Sequence, residues 1–293
     1  MSNISLIIEE RARQIGNFTV GRLLPFHSKR MVGPFIFIDH MGPVAMNGKD
    51  NIDIPPHPHI GLSTLTYLFE GAIMHRDSQG NAVEITPGQV NWMTAGKGIV
   101  HSERTPEHLR QSDKIMHGLQ IWVGLPKDLE QMEPSFFHMD ADELPEWSKD
   151  HVQYRLIAGH AMGKHSPVPV YSPLFLIEIK ADTDAEIDLG PSLYGEVGIY
   201  ILQGQLENDG HVYDSKKILV AANEGLCTFK LTAGSAIYVF GGEPFPEERF
   251  MYWNFVATNK ALLEAAKERW ALQQFPKIEG ETDFVPLPEE KRH

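Results

Sequence analysis

Short runs of β-forming residues, each closed off by Gly, Pro or Asn, recur from residue 15 to about 125 and again from about 152 to 256. No other feature of the chain limits its fold as strongly. In the first block "GPFIFIDHMGP", "LSTLTYLFEG", "QVNWMTAGKG" and "IMHGLQIWVG" are rich in Val, Ile, Phe, Tyr and Trp and too short for helices. That spacing belongs to strands packed as a sandwich or barrel. The two blocks also resemble each other. "YLFEG" at 67–71 matches "YILQG" at 200–204, an offset of 133, and "TAGKGI" at 94–99 matches "TAGSAI" at 232–237, an offset of 138. Two matches in one order imply a duplicated β-domain.

Between the blocks, residues 126–147 hold three prolines and many acids, and read as a connection. The division expected from this is a first domain over 1–135 and a second over 136–293. "DSQGN" at 77–81 reads as a hairpin turn. Near the end, "TNKALLEAAKERWALQQF" predicts a helix after a Thr258 or Asn259 cap, with Leu262, Ala266 and Trp270 as its apolar stripe. The fold class expected is all-β, two tandem barrels closed by a C-terminal helix.

Composition excludes some functions. With 26 Lys and Arg against 39 Asp and Glu, the formal charge is −13 and no basic patch stands out, so direct nucleic-acid binding is not expected. Cys227 is the single cysteine, which rules out an intrachain disulfide and fits the cytoplasm. The start, "MSNISLIIEERARQ", has only a short apolar run before its charges, so neither a signal peptide nor a membrane span is expected there.

The chemistry sits in two short motifs. Residues i and i+2 of a strand share a face, so His57 and His59 in "PPHPHIG" can aim both rings at one point. His101 and Glu103 in "GIVHSE" repeat that spacing. Placed on neighbouring strands, the pairs would gather three imidazoles and one carboxylate around a single divalent metal. The duplication offers a control: at the two offsets His57 and His59 fall on Gly190 and Ser192, and His101 and Glu103 on Val239 and Gly241. The second copy is therefore expected to be metal-free. Prolines 55, 56 and 58 are expected to stiffen the loop carrying the first pair. Of Trp92 and Met93, one should face the barrel interior, and Gln120 could hydrogen-bond a ligand or substrate. His40, His75 and His117 lie outside any paired spacing and read as structural or exposed.

"PPHPHIGLSTLTYLFEG", "HRDSQGN" and "ITPGQVNWMTAGKGIVHSE" together closely resemble the signature of the pirin family, two-domain members of the cupin superfamily, and "GGEPF" at 241–245 extends the likeness. The resemblance implies two cupin barrels, double-stranded β-helices of jelly-roll type. It implies one metal, iron(II) first and Zn, Mn, Co, Ni or Cu as alternatives, on His57, His59, His101 and Glu103. The usual cupin glutamate is absent, Ser63 and Thr64 standing in its place, and Glu103 supplies that ligand in the pirin pattern. Pirins with quercetinase activity imply a dioxygenase in which a small aromatic enolate meets the metal, Glu103 doubles as the base, and dioxygen cleaves the ring with loss of carbon monoxide. Gln120 and Met93 are the candidate substrate contacts. Other pirins imply a non-enzymatic, iron-dependent regulator that binds a partner protein. The chain is expected to be a monomer.

Overall fold

The computed structural model describes residues 3–289 except 17 and 223. Its β-forming runs are strands. In chain order they begin with β1 (Ile4–Glu9), β2 (Arg11–Ile15), β3 (Phe18–Leu24) and β4 (Phe35–Met46). The first block then supplies β5 (Asp53–His59), β6 (Leu62–Glu70), β7 (Ile73–Asp77), β8 (Ala82–Ile85), β9 (Val90–Thr94), β10 (Ile99–Arg104), β11 (Lys114–Gly124) and β12 (Ser135–Met139). After β13 (Glu146–Lys149), the second block supplies β14 (Val152–Ala161), β15 (Lys164–His165), β16 (Leu174–Ala181), β17 (Ala185–Asp188) and β18 (Glu196–Gln203). It continues with β19 (Gln205–Asn208), β20 (His211–Asp214), β21 (Lys217–Ala221), β22 (Thr228–Leu231) and β23 (Ser235–Gly242). The chain closes with β24 (Phe250–Tyr252), β25 (Phe255–Ala257) and helix α1 (Lys260–Ala271).

Two sheets with the same plan occur twice. In the first block the small sheet runs β5-β10-β7-β8, and the larger one runs β12-β9-β6-β11 before continuing to β4. In the second block the small sheet runs β17-β22-β19-β20, and the larger one runs β1-β21-β18-β23 before continuing to β16. Strands at the same place in the two plans correspond: β5 with β17, β6 with β18, β7 with β19, β9 with β21, β10 with β22. The duplication is thus real, and the all-β, two-barrel expectation holds.

The strand correspondence corrects the residue equivalences. "TAGKGI" leads from β9 into β10, whereas "TAGSAI" leads from β22 into β23, one strand further on. The two turns occupy different places in the barrel plan. The strand that corresponds to β10 is β22, whose inward residues are Phe229 and Leu231, and the counterpart of β5 is β17, with Ile187 inward. Gly190 and Ser192 lie beyond β17 in a short 3-10 turn, and Val239 and Gly241 lie on β23.

The boundary near residue 135 does not match how the chain divides. One compact unit combines residues 139–245 with residues 20–40 and β1; the other combines residues 41–138 with the chain from Pro246 on. The C-terminal segment joins the first barrel's unit because of the burial of the helix. Asn259 caps α1, its side chain accepting from Ala261 N at 2.8 Å. The buried stripe is Leu263, Ala266 and Trp270, with Leu262 at its flank. This stripe packs on Ile60 and Val100 of the first barrel together with Phe255 and Phe275. Fully burying a side chain such as Leu contributes roughly 1.5–3 kcal/mol, so the helix goes where that apolar surface is. Gly61 admits the closing chain: its φ is +69°, and a Cβ there would lie 1.9 Å from Val256 O.

Among the described residues, no helix is long and apolar enough to cross a membrane.

Candidate metal centre

The sequence puts three prolines into β5 and the barrel tolerates them for a clear reason. β5 is the edge of its sheet and pairs only with β10, so its outer N–H positions need no ladder partner. Its register with β10 also slips: His101 faces His57, but Glu103 faces Ile54, leaving one extra residue on β5 at the Pro55–Pro56 step. A bulge is where proline fits and where a side chain can be re-aimed. Prolines 55, 56 and 58 therefore belong to the ligand strand itself and not to a loop before it. On the outer side, Val285 N donates to Pro56 O at 2.9 Å.

His57, His59 and His101 are all buried, and one ligating nitrogen from each lies within 4.8 Å of the other two. Their ring centroids are 4.3–5.2 Å apart. His57 Nδ1 donates to Pro55 O at 2.8 Å, which leaves Nε2 bare. Both ring nitrogens of His59 and Nε2 of His101 are buried without a hydrogen-bond partner. Burial pushes the His57 imidazolium down to about 4, and His59 and His101 well below their ordinary 6.5, with neighbouring rings adding to the effect on all three. At neutral pH all three are uncharged. Orphaned buried lone pairs cost free energy unless something binds them, and converging neutral imidazoles are the donor set of a divalent transition metal. The residues fit such an ion.

Glu103 is also buried, two residues after His101 on β10. Burial pushes its carboxyl up to about 7, opposed by the Thr66 hydroxyl at 3.4 Å. A nearby cation would reverse that shift.

The opposite wall follows from register. On β6, Thr66 sits across from Asn91 of β9 and Gln120 of β11, while Thr64 sits across from Met93 and Trp122. Cross-strand partners share a face. Thr66 reaches Glu103, and Trp122 meets the His59 ring edge-on at 5.1 Å, so this face looks onto the histidines. The single Thr66 hydroxyl proton is shared between Gln120 Oε1 at 3.0 Å and Glu103 Oε1 at 3.4 Å. Gln120 and Met93 thus both stand on the wall opposite the ligand strands. Met93 packs with Ala95, Ile99 and Phe136, and the adjacent Trp92 turns to the other face, donating to Thr94 Oγ1.

Of the three histidines outside the two motifs, His40 is buried in the other unit against Glu10 at 2.7 Å, and His117 meets Phe69 edge-on. His75 is different. It is buried beside His101, with its Nδ1 3.4 Å from His101 Nδ1. "HRD" at 75–77 carries the same i, i+2 spacing as the two ligand motifs, and that was the signal that could have found it. Asn91 was also missed. It is buried and pairs with His138 Nδ1 at 2.7 Å.

Comparison with known proteins follows the same lines. The family model described as Pirin matches residues 17–123, and the one described as Pirin C-terminal cupin domain matches residues 176–276. The chain is 46% identical to a pirin-like protein of Caulobacter vibrioides, covering 98% of this chain and 100% of that one. A crystal structure of a quercetin 2,3-dioxygenase from Acinetobacter baumannii matches with a TM-score of 0.88 at 33% identity, covering 98% of this chain and 96% of the other. A bacterial pirin from Escherichia coli, crystallised in complex with nickel(II), shares the fold at a TM-score of 0.64 and 17% identity, covering 82% of this chain and 99% of the other.

Proposed function

The chain belongs to the pirin family of two-domain cupins, and from that premise we propose that its first barrel is an oxygenase of the quercetin 2,3-dioxygenase type. It holds one divalent metal, iron(II) in the first instance, on His57, His59, His101 and Glu103, and acts on flavonol-like, enolisable aromatic substrates with dioxygen.

One observation carries this reading: three buried, uncharged imidazoles converge with unpaired nitrogens, and a buried carboxyl, Glu103, lies two residues after His101 on the same strand. When bound, the metal supplies a Lewis acid for an enolate oxygen and, as iron, a redox relay for dioxygen. The rest is the work of the chain. Glu103 takes the proton of the substrate hydroxyl as the general base and returns it later in the reaction. Thr66 donates to Gln120 Oε1 and so holds the amide oxygen, which leaves the Gln120 N–H groups as donors for a substrate oxygen. Met93, Trp122 and Phe136 supply an apolar wall that receives an aromatic ring and keeps water away from the enolate.

The test is the loss of quercetin absorbance on incubation with iron(II)-loaded protein and oxygen. Glu103→Ala should abolish it. Unchanged absorbance with every divalent metal tried would remove the oxygenase reading, and a protein that retains no metal would remove the metal reading as well.

A further inference from the structure

Beside the ligand set is a second, linear set of buried groups. His75 and Asp77 lie on β7, the strand next to β10, where His101 faces Asp77 and Glu103 faces His75. Both are buried, at 4% and 1% exposure. His75 is held on three sides. Its Nε2 is 3.2 Å from Asp77 Oδ2, its Nδ1 is 3.4 Å from His101 Nδ1, and its ring stacks on Phe136 at 4.4 Å and 13°.

Asp77 is fixed in turn. Its Oδ1 accepts from Gln79 N, Asn81 N and Asn81 Nδ2 at 2.9–3.1 Å, and its Oδ2 accepts from Asn81 Nδ2 at 2.8 Å. The "DSQGN" turn is therefore wrapped around one carboxylate. Gln79 Nε2 also donates to Pro134 O at 2.8 Å, which ties the turn to the segment carrying Phe136.

The direction of each hydrogen bond follows by elimination. A carboxylate that receives four N–H contacts is an acceptor, so His75 Nε2 is the donor to it. With its proton on Nε2, a neutral His75 has a bare Nδ1, which can only accept. His101 Nδ1 must then donate, and its Nε2 is left without a proton. That Nε2 is the atom with no protein partner. His57 reaches the same end by giving its Nδ1 proton to Pro55 O.

We infer that His75 is a positioning residue of the metal centre: it accepts the Nδ1–H of His101 and so commits His101 Nε2 to the metal, with Asp77 and Phe136 holding His75 in place. This rests on the metal-binding reading of His57, His59 and His101. Hydrogen-bond partners of ligating histidines typically contribute about 10–100-fold to metal affinity.

Cobalt(II) is the probe, because its visible absorption reports ligand number and geometry independently of turnover. His75→Phe keeps an aromatic ring against Phe136 and removes the acceptor. It should bind cobalt(II) about 10–100-fold more weakly than the unaltered protein, with a changed visible spectrum. His75→Gln restores an acceptor oxygen and should recover most of the affinity and the original spectrum, and it keeps the test readable if the Phe variant does not fold. Melting of the three metal-free proteins within a few degrees of one another shows that the barrel is intact. The inference is overturned if His75→Phe binds cobalt(II) as the unaltered protein does, or if His75→Gln is as weak as His75→Phe. Failure of the unaltered protein to bind cobalt(II) would be a different result, one that overturns the metal reading itself.

Discussion

The two barrels share a strand plan and differ in what they enclose. In the first, β5 and β10 turn His57, His59, His101 and Glu103 inward. In the second, the corresponding β17 and β22 turn Ile187, Phe229 and Leu231 into a core with Leu206, Ile199 and Val239. Among the described residues, the group of side chains placed to hold a metal is His57, His59 and His101. The pairing of strands therefore makes no demand for polar groups at these positions. A barrel of this plan closes as well over Phe and Leu as over imidazoles, and four buried polar residues where apolar ones suffice are a cost that binding must offset.

The largest effect that separates the barrels is on metal retention. His101→Ala removes one of the three clustered imidazoles and should leave the purified protein without stoichiometric metal and without flavonol turnover. Phe229→Ala empties an equally buried site on the corresponding strand. It should cost about 3–5 kcal/mol of stability in denaturant unfolding and leave metal content unchanged. Metal analysis and unfolding curves on both variants give the answer. If Phe229→Ala lost metal, or if His101→Ala kept it, the division of labour between the barrels would be wrong.

A smaller effect, of opposite sign, should appear without metal. His59 has two buried nitrogens with no partner, and an unsatisfied buried polar group costs about 1–3 kcal/mol. His59→Leu makes the first barrel more like the second. It should raise the stability of the metal-free protein by about 1–3 kcal/mol while lowering metal affinity. A metal-free His59→Leu protein that melts below the parent would show that the ring contributes packing that leucine cannot replace.

Much of this was legible in the sequence, and the failures have physical causes. Spacing of β-forming runs points to the two barrels, and i, i+2 histidines point to the buried imidazole cluster, because both depend on the two-residue period of a strand. "TAGKGI" and "TAGSAI" misled because they report turn chemistry: Gly96 at φ +50° and Gly234 at φ +76° meet the same backbone need at different corners. The helix is legible from its own periodicity, but its destination depends on Ile60 and Val100, 200 and 160 residues before its first residue, and no local pattern encodes that. His75 does not stand out in the sequence because its partner, Asp77, also reads as the first residue of a turn. That carboxylate serves both the turn and the histidine.

The smallest effect is a pH dependence. Burial lowers His57 to about 4 and holds His59 and His101 well below 6.5. For these groups the unfolded chain binds protons more readily, so their neutral burial is tolerated above 6.5 and stability is lost as pH falls below it. Glu103 acts in the opposite sense. Its folded value is raised to about 7 from an ordinary 4.5, so its contribution is fully present below 4.5 and is lost as pH rises toward 7. Three histidines oppose one carboxyl, and the metal-free first barrel should weaken from pH 6.5 downward. Variants isolate the share of each group from all other titrations in the chain. The stability advantage of metal-free His59→Leu over the parent should widen as pH falls below 6.5, and Glu103→Gln should make the loss on acidification steeper. Phe229→Ala, which alters no ionisable group, should run parallel to the parent. An advantage of His59→Leu that stayed constant from pH 7 to 5 would mean that this imidazole takes up protons in the folded barrel as freely as in the unfolded chain, and its burial would then not be what keeps it neutral for a metal.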